Sequence, residues 1–157
     1  MNLLGEEHLH ALAAMEDLAA THDSHRRWQE AEALREMILE KHAELYGEAH
    51  DATLLAMENL AATYTIRKRW AEAEALEAKI LELCIEVHGE GHAATITAME
   101  HLAATYDRRQ RWAETVPLEE AILQAKIKLY GEAYTETLSA NKLFILRIAL
   151  GGVPHNF

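Results

Sequence analysis

Trp28, Trp70 and Trp112 stand 42 residues apart, and so do Gly5, Gly47, Gly89 and Gly131. A period of this length, kept without a slip through most of a 157-residue chain, means that one supersecondary unit is copied and stacked. Residues 47–88 and 89–130 are identical at 23 of 42 positions, sharing Gly-Glu-x-His, Ala-Met-Glu, Leu-Ala-Ala-Thr-Tyr and Arg-x-Arg-Trp-Ala-Glu. Pro occurs only at 117 and 154, so long helices are expected. Within a repeat, Leu54, Met57, Leu60, Ala61 and Tyr64 share one helical face. Trp70, Ala73, Leu76, Ile80, Leu81 and Val87 mark a second helix, with Arg67, Lys68 and Arg69 between the two stripes.

The pattern predicts three antiparallel hairpins, pairing 7–23 with 28–45, 51–66 with 70–87 and 93–108 with 112–129. A seventh helix over about 134–150 and a tail at 151–157 follow. The expected fold is all-α, a right-handed αα-solenoid in one domain with repeats 5–46, 47–88, 89–130 and a partial repeat 131–150. The pairs Ala19-Ala20, Ala61-Ala62 and Ala103-Ala104 let helix backbones approach, and the Trp and Met15, Met57, Met99 rows read as core. Asn2-Leu3-Leu4-Gly5 aligns with Glu44-Leu45-Tyr46-Gly47, the end of a second helix, as in a segment of a longer array.

Leu60, Ala61, Tyr64, Trp70 and Ala73 fall at the signature spacings of the tetratricopeptide repeat, which the chain resembles over nearly its whole length. The long period and the Gly-Glu-x-His boundary are similar to the kinesin light chain subclass, and more so to the sensor arrays of fungal NACHT or NB-ARC receptors. The chain departs from that pattern in lacking Pro after the boundary His, in His22 for Tyr and in Thr115 for a small residue. The resemblance implies a non-catalytic module that binds a protein or peptide along a concave groove lined by each first helix. Glu16, Glu58 and Glu100 would form one row, Asp17, Asn59 and His101 the next, and Ala20, Ala62 and Ala104 the floor, with Lys142 on the last helix. Asn at the second row is the kinesin light chain clamp on a peptide backbone, and only Asn59 keeps it. Such an acidic groove favours a Lys- or Arg-bearing partner; the same glutamates also read as a solvated helix face.

The formal charge of −11 argues against nucleic acid and anionic membranes, which attract clustered Lys and Arg. Eight of the 15 basic side chains do cluster, as Arg26, Arg27, Arg67, Lys68, Arg69, Arg108, Arg109 and Arg111. Each group ends a first helix, where positive charge offsets the helix dipole. Cys84 is the only cysteine, which excludes an internal disulfide and points to a cytoplasmic location. Its repeat equivalents, His42 and Lys126, are polar, so the thiol is expected near the surface. His8, His50 and His92 recur once per repeat as boundary residues, not as four converging zinc ligands, and neither a metal nor another cofactor is expected. Leu143, Phe144, Ile145, Leu146, Ile148 and Leu150 leave the last helix apolar nearly all round, which makes homo-oligomerisation through Leu143, Leu146 and Leu150 the alternative function.

Overall fold

The computed structural model describes residues 3–131, with side chains from residue 10 onward. Six α-helices and no strands occur among them: α1 (Leu3–Ser24), α2 (Trp28–Tyr46), α3 (Asp51–Ile66), α4 (Trp70–His88), α5 (Ala93–Arg108) and α6 (Trp112–Tyr130). Predicted residues 134–150 lie outside the described part. From α2 onward each helix begins and ends within one residue of its expected bounds. The first helix differs, because α1 runs unbroken through Gly5, where a boundary turn was expected. Leu3, Leu4, Glu6 and Glu7 are good helix formers, and one glycine among them costs only about 1 kcal/mol.

The chain divides into two compact units, residues 1–80 and 81–157, with the division inside α4. In the first, α2 packs against both α1 and α3. Leu12, Ile38 and Ala56 form its centre, flanked by Met15 and Leu39. In the second, α5 and α6 pack together. Ile96, Met99, Ala103 and Ile122 are its centre, with Leu81, Leu118 and Ala125 against it.

Two kinds of turn separate these helices. Inside a hairpin, Arg26, Lys68 and Gln110 occupy the left-handed region at φ 59°, 59° and 57°. The next residue's N–H then reaches five residues back, from Arg27 to His22, Arg69 to Tyr64 and Arg111 to Tyr106, at 2.8–3.0 Å. This satisfies carbonyls that the helix end would leave orphaned, as glycine-ended helices do, here with side chains in place. Between hairpins the chain uses Gly47 and Gly89, and Gly131 ends α6 in the same way, at φ 89°, 84° and 81°. Space is not the reason, because a Cβ at any of the three would meet nothing within 4 Å. With ψ of 164° at Gly47 and 163° at Gly131, the backbone lies in a region essentially closed to other residues.

A histidine then caps the following helix. His50 Nδ1 accepts from the Ala52 N–H at 3.1 Å, and His92 Nδ1 from the Ala94 N–H at 3.2 Å. Each ring stacks on the last aromatic of the preceding helix, His50 on Tyr46 at 4.7 Å and His92 on His88 at 4.6 Å between centroids. Thr53 and Thr95 close the boundary by donating to the Gly47 and Gly89 carbonyls at 2.7 and 2.8 Å. His50 and His92 are thus helix caps, whereas His8, expected at the same kind of boundary, falls inside the unbroken α1. Among the described residues no three His, Cys, Asp or Glu side chains are grouped to hold a metal.

Three expectations about burial change. The Trp side chains each open a second helix beside a turn and are only half-buried. Val87 stays 47 % exposed, and Cys84, one turn earlier, is buried at 2 %. The thiol position is interior in the other repeats too, despite their polar side chains. His42 is 8 % exposed, and the Lys126 side chain 14 %, its ammonium reaching Glu100. Long polar side chains can bury their stems and still keep the charged tip paired.

Candidate functional site

The first-helix rows separate by burial as their spacing suggests. In each small pair the first alanine is core, Ala19 at 1 %, Ala61 at 3 % and Ala103 at 5 %. The second faces outward, fully at Ala20 and Ala62 and partly at Ala104. Glu16, Asp17, Asn59 and His101 are exposed, while Glu58 and Glu100 are half-buried. Lys142, Leu143, Leu146 and Leu150 lie outside the described residues.

In the first unit the rows meet. Glu16, Ala20 and Asn59 line one small cavity of about 170 Å³ together with Ala19, Ile38, Ala56 and Arg35. Arg35 comes from α2, and its guanidinium is already engaged, donating to the Thr63 hydroxyl and to the Asp23 carboxylate. Thr63 in turn donates to the Asn59 carbonyl at 3.0 Å, so the backbone beneath Asn59 is held while its side chain points to an open surface. In the second unit Glu100 pairs with Lys126 of α6 at 2.8 Å. The acidic row is therefore not uniform: Glu16 and Glu58 carry its unneutralised charge, joined by Asp17 of the next row, and Glu100 is paired within the hairpin.

The basic turns are built differently from the dipole reading. In the first unit Arg67 and Arg69 both ion-pair with Glu32 of α2, whose side chain is 10 % exposed. Arg69 also meets Glu72 at 2.9 Å, and its guanidinium lies 4.7 Å above the Tyr64 ring. Burial, followed by the nearby Glu36 carboxylate, pushes the Tyr64 phenol above its ordinary value, while its hydroxyl donates to Glu36 at 3.2 Å. In the second unit Arg111 covers Tyr106 at 4.8 Å and pairs with Glu114 at 2.8 Å. The first-unit arginines tie a hairpin to the preceding helix, a role that helix-end charge alone does not suggest. Its signal in the sequence is a glutamate 35 and 37 residues before the two arginines, repeated by Glu74 before Arg109 and Arg111.

Among the described residues, the resources of this arrangement are small residues, fixed backbone and localised charge. No helix among the described residues is long and apolar enough to cross a membrane.

Comparison with known proteins places the fold. Two tetratricopeptide repeat family models match, one over residues 11–52 and the other over residues 53–128. Among solved structures, a Podosopora anserina protein described as a kinesin light chain with nearly identical TPR-like repeats superposes with a TM-score of 0.73 at 20 % identity, over 90 % of this chain and 68 % of that one. A point variant of that protein gives 0.74 at 20 % identity over the same shares. BtubC (BKLC) from P. vanneervenii gives 0.68 at 19 % identity, over 93 % of this chain and 66 % of that one. At such identity the likeness concerns the fold alone. No curated protein matches the chain.

Proposed function

The chain belongs to the tetratricopeptide-repeat family, and on that premise we propose that it is a protein-interaction module that holds an extended partner segment along the outward rows of its first helices. Tetratricopeptide repeats generally mediate protein–protein contacts or scaffolding, without chemistry of their own. The observation that carries the proposal is the convergence of Glu16, Ala20 and Asn59 on one cavity. Ala20 leaves room for an approaching backbone, Asn59 offers an amide donor and acceptor to it, and Glu16 with Asp17 favours a Lys or Arg on the incoming segment. A place in the sensor array of a nucleotide-switch receptor belongs to the same proposal, and a nucleotide-binding domain in the same polypeptide would support it.

A basic peptide library read by fluorescence anisotropy tests the groove. Changing Glu16 and Glu58 to Gln should weaken the best binders about fivefold, as two rim charges would. Glu100→Gln should change affinity less than about twofold, because Lys126 already holds that carboxylate. Undiminished binding after the double change sinks the acidic-row reading. The alternative, self-association through Leu143, Leu146 and Leu150, rests on their sequence pattern. It predicts a concentration-dependent mass in solution that falls when Leu143 and Leu146 are changed to Glu.

A further inference from the structure

The second unit holds a larger groove that shares no residue with those rows. It has a volume of about 570 Å³, within the range of ligand sites, and Leu81, Ile85, Met99, Leu118 and Ile127 supply its apolar lining. Glu90 and Lys128 also line it, both exposed and not ion-paired with one another.

The repeat itself shows what such a position can take up. One period earlier, Glu48 is the equivalent of Glu90, and Lys79 is the equivalent of Ala121. In the first unit Lys79 Nζ lies 3.0 Å from Glu48 Oε1, so a lysine on its aliphatic stem answers that carboxylate from within the chain. In the second unit Ala121 lines the groove and is too short to reach Glu90. Two further lining positions are also trimmed, Ala125 standing where the previous repeat has Leu83 and Gly91 where it has Ala49. Three shortened side chains and one carboxylate without its cation among the described residues coincide at a single groove.

We propose that this groove receives a segment of a partner protein bearing a lysine flanked by aliphatic residues, with the lysine ammonium at Glu90 and the neighbouring side chains on the apolar lining. The incoming lysine repeats from outside what Lys79 does for Glu48 from inside. Lys128 repels a second cation, which gives the segment a direction. Opposite charge at Glu90 selects the lysine, and burial of the aliphatic flanks supplies the larger part of the affinity.

The test uses the full chain and two matched libraries of peptides about nine residues long, with aliphatic flanks and a central lysine in one and norleucine in the other. The lysine library should be retained preferentially. Ala121→Lys, which restores the internal cation, should weaken its best peptides at least about tenfold with the circular dichroism spectrum unchanged. Glu90→Gln should cost about threefold, the scale of one exposed ion pair, and Glu48→Gln nothing. Changing Glu16, Glu58 and Glu100 together to Gln should leave this binding intact, which separates it from the first-helix rows. Equal retention of the norleucine library, or undiminished binding by folded Ala121→Lys and by Glu90→Gln, overturns the proposal. So does a protein mass that doubles with concentration and reverts in Ala121→Lys, since the occupant would then be a second copy.

Discussion

The turn inside a hairpin and the turn between hairpins reverse the chain with opposite means. Inside, a residue with a full side chain, Arg26, Lys68 or Gln110, sits in the left-handed region, and in the second hairpin the turn is anchored by the arginines beside it. Between hairpins the backbone enters a region that only glycine reaches at small cost, and the anchor is a stacked histidine cap with a threonine hydroxyl. The first turn thus draws on tertiary contacts to hold an ordinary residue in an uncommon conformation. The second draws on residue identity. The second hairpin turn can vary its sequence as long as Arg67 and Arg69 keep their carboxylate, whereas a boundary tolerates little change at its glycine.

The contrast is sharpest at Gly89. Gly89→Ala should lose about 2–3 kcal/mol in urea unfolding, although its Cβ would meet open space. A loss well under about 1 kcal/mol would mean that the boundary is not conformationally restricted. Removing the anchor of the other turn with Glu32→Ala leaves Arg67 and Arg69 without their shared carboxylate and should cost about 2 kcal/mol. Chemical denaturation of a Glu32→Gln variant, which keeps the shape, should show most of that loss if charge and not packing is responsible. His92→Ala removes a cap and a ring stack and should cost about 1 kcal/mol by the same measurement.

A gain is expected at the hairpin turn. Lys68→Gly relieves the left-handed conformation and should stabilise by about 0.5 kcal/mol, the balance of that relief against the entropy of a freer unfolded chain. The smallest effect concerns Glu72 and Glu114, whose carboxyls are held below the ordinary value of 4.5 by side-chain hydrogen bonds from Arg69 and Arg111. Their contribution is present above that value and is lost as pH falls through the depressed one. A double Gln variant should therefore melt slightly below the wild type at neutral pH and converge with it in acid.

These turns also mark how far the sequence can be read. The 42-residue period carries the register, so from α2 onward helix ends fall within one residue of expectation, and the glycine and histidine boundaries repeat visibly. At Gly5 the same sign misleads, because glycine permits a boundary turn without imposing one. The Glu32 anchor lies 35 and 37 residues from its arginines, and only the packing of one hairpin on the preceding helix brings them together. Of the candidate rows, outward-facing alanines and exposed acids are legible from helical spacing. The Arg35 beneath them and the Lys126 partner of Glu100 are not, since each arrives from a different helix.

Cys84 departs from expectation for a related reason, its equivalents being polar yet interior. Its burial turns the lone thiol into a clock. The Thr95 hydroxyl that donates to Gly89 also lies 3.2 Å from the Cys84 carbonyl, sharing its proton between the two, which pins α5 over that turn of α4. An alkylating reagent reaches the sulfur only when this part of the second unit opens, so the rate of modification measures how often it does so. Because the sulfur belongs to the native chain, that opening can be timed without introducing a label, and anything that steadies α4 against α5 slows the clock.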